Sequence, residues 1–213
     1  MNGNGFAHRR AGWISALLFF VATGMGCGSS ADGLVLRADA EYDPATVSDT
    51  SWPIAEATPG AAQSFTVLAD GQLDEFWFVI TQGESLDDGV IRITVRPTDA
   101  MGVPDSDPNS SIIQPIDVDT TLLPPVLVDE FSVFNVGDEP NRQVLAGEMY
   151  AIVVDFVSRT TSNDVNAIAR VLGQTNALGD PYLEGTGSTG ESGVGFTANT
   201  NDYFFRTFVL QPN

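Results

Sequence analysis

Val90-Ile91-Arg92-Ile93-Thr94-Val95-Arg96 alternates without a break, with Ile91, Ile93 and Val95 on one side and Arg92, Thr94 and Arg96 on the other. Successive side chains of an extended chain point to opposite faces, so this pattern makes a strand with one buried face. Pro97 ends it, because proline brings no N–H to a ladder. Downstream, Met149-Tyr150-Ala151-Ile152-Val153-Val154-Asp155-Phe156-Val157 is a strong strand entered from the turn residues Ala146-Gly147-Glu148. Upstream, Ser64-Phe65-Thr66-Val67-Leu68 alternates, and Asp70-Gly71 signals a turn. Leu73 to Thr81 follows and contains Phe76-Trp77-Phe78-Val79-Ile80, apolar on both faces. That suits a strand in the middle of a sandwich, with Phe76 and Trp77 in the core.

The rest of the chain fits the same pattern. Leu34-Val35-Leu36 is a short strand, and residues 39–60, rich in Asp, Thr, Ser, Pro and Ala, read as a long excursion. Residues 97–111 form a polar loop, Ile112 to Val118 pairs again, and Pro124-Pro125 breaks the next segment. Glu130 to Val136 alternates, Ala167 to Leu172 follows, and Tyr203 to Leu210 closes the chain. Residues 173–202 are rich in Gly, Ser, Thr and Asn and carry only isolated aromatics. No stretch has a convincing helical period, and there is no internal repeat. The expectation is an all-β fold: a two-sheet antiparallel, jelly-roll-like β-sandwich of about eight or nine strands, as one domain over 34–213.

Charge narrows the function. All nine basic residues are Arg; Arg9 and Arg10 precede Cys27, and all 28 acids follow it. The part after Cys27 therefore sets seven arginines against 28 acids, a net of −21. Such a surface repels nucleic-acid phosphates and anionic headgroups, and it leaves cations and neutral ligands such as glycans as suitable partners. His8 is the sole histidine and Cys27 the sole cysteine. Nucleophilic triads and His-ligated metal sites thus lack their parts after residue 27, and a phosphate-cradling loop lacks its Lys. Paired carboxylates remain, as glycoside hydrolysis would need, but no spacing singles out a pair. The expectation is a protein that is not an enzyme.

Residues 1–26 read as a signal segment. Positive charge at His8-Arg9-Arg10 precedes an apolar run from Trp13 to Ala22, which is too short to span a bilayer. Gly26-Cys27 at the end of that run resembles the processing site of bacterial lipoproteins. The resemblance implies lipidation of Cys27, anchorage in the cell envelope at the outer membrane or surface, and a flexible tether over 27–33. The alternative is cleavage near Ser29-Ser30-Ala31 and release as a soluble protein.

Several short motifs, in order, resemble a jelly-roll module widespread in secreted and surface-anchored bacterial proteins. They are Ala62-Gln63-Ser64-Phe65-Thr66-Val67, Gly71-Gln72-Leu73, the trio Thr98, Gly102 and Pro104, Ala146-Gly147 with Tyr150-Ala151-Ile152-Val153, and Asp202 to Val209. The resemblance covers residues 61–210 and implies a non-catalytic accessory or binding module.

Two sets of candidate site residues follow. Asp105-x-Asp107-x-Asn109 has the alternate oxygens that open a calcium loop, with Asp117 and Asp119 nearby. However, Ser110 and Ile116 stand where the helix-flanked motif needs Gly and Glu, and a polar Asp-Pro turn is the other reading. Trp52, Tyr182, Phe196 and Tyr203 lie in or beside loops, where aromatic faces could stack on a glycan; otherwise each plugs an end of the core. The leading function is a lipid-anchored surface binding or adhesion module, for a glycan. The alternatives are a structural envelope protein with a protein partner only, or a carboxylate-dependent glycoside hydrolase.

Overall fold

The computed structural model describes residues 33–42, 48, 50–83, 88–125, 129–137, 142–160, 167–175, 182 and 184–212. The chain divides into two units, Met1–Ala31 and Asp32–Asn213, and the described residues all belong to the second. Cys27 lies outside them.

Among the described residues fifteen strands run in chain order: β1 Leu34–Tyr42, β2 Thr50–Ile54, β3 Gly60–Thr66, β4 Gly71–Phe78, β5 Ile80–Gln82, β6 Gly89–Pro97, β7 Ile116–Asp119, β8 Ser132–Asn135, β9 Gln143–Val144, β10 Met149–Arg159, β11 Ala169–Thr175, β12 Gly187–Glu191, β13 Gly195–Ala198, β14 Asn201–Tyr203 and β15 Phe205–Pro212. The described helical residues are two single 3-10 turns, Pro108–Ser110 and Thr120–Leu122. Among the described residues every strand pairing is antiparallel. The fold is an all-β antiparallel sandwich. Among the described residues no helix is long and apolar enough to cross a membrane.

One layer is a six-stranded sheet in the order β13-β12-β3-β10-β6-β7. The other is built from β1-β15-β4-β8, with β9 beside β4, and from β14-β11-β2, with β5 beside β11. These two ladders are joined by strands that continue from one into the other. The β4/β15 pair forks at Val79 and Phe204, and β11 crosses the fork. There Val79 N–H donates to Phe204 O (3.1 Å), Leu172 N–H to Val79 O (3.0 Å) and Phe204 N–H to Leu172 O (3.1 Å). All three strands keep their backbone groups satisfied at the branch, which is what allows it to be buried.

The core lies between the layers. Ile91, Ile93 and Val95 of β6 and Tyr150, Ile152 and Val154 of β10 meet Phe76, Phe78, Phe205 and Val209 from the other side. Gln63, fully buried, ties β3 to β14 by accepting from Tyr203 N–H at 2.7 Å.

The strand count exceeds the sequence expectation because segments without alternation still find partners. The excursion over 39–60 contains the end of β1 and all of β2, which pairs with β11. The Gly/Ser/Thr stretch after residue 173 contains β12, β13 and β14. Trp77 differs from its expected place in the core. Phe76 and Phe78 turn inward, so Trp77 between them turns outward and is only half-buried.

Candidate functional site

On the six-stranded sheet, Arg92, Thr94 and Arg96 share the outer face with Ala62, Ser64, Ala151, Val153 and Asp155. Apart from Arg92, this face is covered from solvent. The chain after Pro97 folds back over it, and the β12–β13 hairpin reaches the same place. Gly193, at φ +81 in the hairpin turn, donates its N–H to Ser106 O at 2.7 Å. Residues 97–111 and the hairpin therefore do converge.

Beneath them lies an ion pair closed off from water. Arg96 is fully buried, and its Nη2 donates to Asp155 Oδ2 at 2.6 Å. Its Nε donates to Thr94 Oγ1 (2.9 Å) and its Nη1 to the backbone oxygen of Asp105 (3.3 Å). The Ser192 hydroxyl adds a 2.6 Å bond to Asp155 Oδ2, and the guanidinium lies 6.0 Å from the Phe196 ring centre. A buried ion pair is sustained only when further hydrogen bonds complete it, and here they come from loop and hairpin.

The hairpin also forms one wall of a groove of about 380 Å³. Thr189 pairs across β3 with core-facing Ala61, and Trp52 pairs across β11 with core-facing Val171. Both therefore point between the layers, so the groove lies where the layers part at this edge. Trp52 forms one wall, Thr189, Thr197, Glu191 and Val194 the other, and Gly60, Gly190 and Gly195 the bare backbone between them. Glycine is needed at Gly60, where a Cβ would lie 2.9 Å from Gly190 O and 3.0 Å from Asp155 Oδ1. Among the described residues the buried Trp52 Nε1–H finds no acceptor, and Asp155 Oδ1, behind Gly60 on the outer face, finds no donor.

The four expected aromatics separate. Trp52 borders the groove, and Phe196 sits behind its Gly60–Gly190 floor, against Ala62, Ala151 and Val153. Tyr182 and Tyr203 do not join them. Tyr203 is fully buried, and Tyr182 packs edge-on against Phe205 at 5.1 Å and against Tyr42 at 5.9 Å. Both rings plug the core, so neither presents a face to a ligand. Burial pushes the Tyr203 hydroxyl up to about 12 and raises that of Tyr182 as well.

The acidic loop forms turns rather than a cage. Asp105 Oδ1 accepts from Asp107 N–H, and Asp107 Oδ1 accepts from both Asn109 N–H and Asn109 Nδ2. Asn109 thus aims a donor at the carboxylate beside it, not an oxygen at a cation. Asp117 is held by Arg92 through two bonds of 2.7 and 2.9 Å, and Asp119 caps a 3-10 turn through Thr121. Among the described residues no group of three or more His, Cys, Asp or Glu is placed to hold a metal ion.

A larger hollow, about 580 Å³, is lined by Pro97–Ala100, Ile112 and Gly147–Tyr150. It holds two carboxylates, but each is engaged. Asp99 Oδ1 accepts the N–H groups of Met101 and Val103, and Glu148 accepts from the Tyr150 hydroxyl at 2.8 Å. The Tyr150 ring is buried, so this hollow offers a ligand no aromatic face.

The groove's glycines and threonines gave no signal in the sequence, since they resemble any Gly/Thr-rich turn. Trp77 did give one, because the two-residue period that buries Phe76 and Phe78 requires it to face outward.

No protein-family model matches this chain, and no curated protein does. Among solved structures it is similar to the crystal structure of the cysteine protease and lectin-like domains of Cwp84, a surface layer associated protein of Clostridium difficile, at 13% identity and a TM-score of 0.43. The match covers 76% of this chain, and the chain spans 36% of that one.

Proposed function

We propose that this chain is an exported, non-catalytic binding module and that the groove beside Trp52 takes a neutral glycan. The supporting observation is the make-up of the groove. An indole lines the groove opposite two threonines and a glutamate, with bare glycine backbone between them. A sugar ring offers an apolar C–H face to an aromatic and hydroxyls to such polar groups. A neutral ligand also carries no charge for the strongly acidic surface to repel. The export segment and Gly26-Cys27 support anchorage in the cell envelope through a lipid on Cys27.

Calorimetric titration of the full chain with a panel of neutral oligosaccharides tests the reading. At least one oligosaccharide binds, and Trp52→Ala weakens it about tenfold, the 1.4 kcal/mol within reach of one stacked ring. Thr189→Val with Thr197→Val, which keeps the shape and removes both hydroxyls, weakens it further. Binding unchanged in Trp52→Ala, or no binding across the panel, sets the reading aside.

A further inference from the structure

The outer face of the β1-β15-β4-β8 sheet carries an apolar surface that the groove does not use. Opposite the inward Phe76, Phe78, Phe205 and Val209, the outward residues are Leu34 and Leu36 of β1, Phe208 of β15, Trp77 of β4, Val133 of β8 and Phe131 just before it. Leu34, Leu36 and Val133 are 49%, 45% and 50% exposed. Trp77 lies 4.9 Å from Phe208 and 6.0 Å from Phe131, ring centre to ring centre. The Arg206 guanidinium lies over both Trp77 (5.4 Å) and Phe131 (5.0 Å), and its Nε is 3.5 Å from Glu41.

We propose that this face rests on the surface of a phospholipid bilayer; the proposal takes from the reading above only the lipid on Cys27. Two observations select this occupant. The first is chain length. Seven peptide links separate Cys27 from Leu34, a reach of at most about 25 Å. An anchored Cys27 therefore keeps the start of β1 close to the headgroups, and Leu34 and Leu36 open this face. The second is composition. Exposed aliphatics, an indole and an arginine lying along aromatic rings are the side chains that settle at a membrane–water interface, with the rings at headgroup depth and the guanidinium snorkelling to phosphate. The guanidinium already covers the rings a sugar would stack on, which separates this face from the groove. Charge selects the lipid. The chain as a whole repels anionic headgroups, while on this face Arg206 is matched by Glu41, and Glu75 accepts from the Trp77 indole N–H. A zwitterionic surface is the fitting one.

The test uses the full chain with Trp13→Phe and Trp52→Phe, which leaves Trp77 as its one tryptophan. Vesicles of phosphatidylcholine brominated near the headgroup end of the acyl chains serve as the probe. The protein co-floats with the vesicles, and Trp77 emission falls about twofold or more, the response of a ring seated at headgroup depth. Leu36→Asp with Val133→Asp, both at exposed positions, removes the quenching while the lipid anchor keeps the protein on the vesicles. Co-flotation without quenching of Trp77 overturns the proposal and leaves the lipoprotein reading intact. Absence of both overturns the two together. A concentration-dependent dimer without vesicles, lost in the same double variant, assigns the face to a second copy and also overturns the proposal.

Discussion

Replacing Arg96 with Met removes the positive half of the buried pair while keeping most of the side-chain length. Asp155 is then left with the bond from Ser192, and among the described residues its Oδ1 has no donor. The chain also loses the bonds from Arg96 to Thr94 and to the Asp105 carbonyl. Breaking a buried pair from one side costs about 3–5 kcal/mol, because the surviving charge keeps its desolvation penalty. In a domain of this size each kcal/mol lowers Tm by roughly 2–4 °C, so the expected fall is about 6–20 °C. Urea unfolding followed by circular dichroism gives the free energy directly, through a lower midpoint at unchanged slope. Asp155→Leu alone should cost a similar amount by stranding the guanidinium. The double variant Arg96→Met, Asp155→Leu strands no charge and should cost less than the sum of the singles by at least about 2 kcal/mol. A single-variant loss below about 1 kcal/mol, or strict additivity in the cycle, would refute the claim that this pair fastens loop and hairpin to the sheet. The hairpin is also a wall of the groove, so Arg96→Met should weaken glycan binding under conditions where the protein is still folded.

Alkaline stability follows from the buried tyrosines. Burial pushes Tyr150 and Tyr203 up to about 12, so the unfolded chain releases these protons first, near pH 10. Their contribution to stability is then flat below pH 10 and falls as pH rises from 10 to 12; for fully buried Tyr203 the loss is about 2–3 kcal/mol. Tyr203→Phe should flatten that part of the pH–stability curve by this amount, and an unchanged slope would contradict it. Calcium should raise Tm no more than sodium at matched ionic strength, because the loop carboxylates of Asp105 and Asp107 are spent on backbone N–H groups. A calcium-specific rise abolished by Asp105→Ala with Asp107→Ala would show a site that the turns conceal.

The sandwich and its main strands were legible in the sequence alone. Residues 90–96 and 149–157 alternate or run apolar, and a period of two is sufficient to say that a segment is extended and which side is buried. The structure pairs those two segments side by side, Val154 opposite Ile93. The lack of any His after His8 and of any Lys is likewise a fact of composition, and it excludes chemistry without any coordinates. The remainder came from contacts between segments far apart in the chain. β2, β12 and β13 have no alternation of their own and exist because β11 supplies an edge for β2, β3 one for β12, and β12 in turn one for β13. Four aromatics that looked alike in loops divided into two core plugs, one groove wall and one support, because ring exposure depends on what the fold lays over each ring. Arg96 and Asp155 stand 59 positions apart. Neither carries a local mark of burial, and their pairing needed a neighbouring strand and two distant loops to exclude the water. Periodicity is local, and so it is written in the chain; a groove and a buried charge are made by segments remote in sequence, whose meeting no local pattern records.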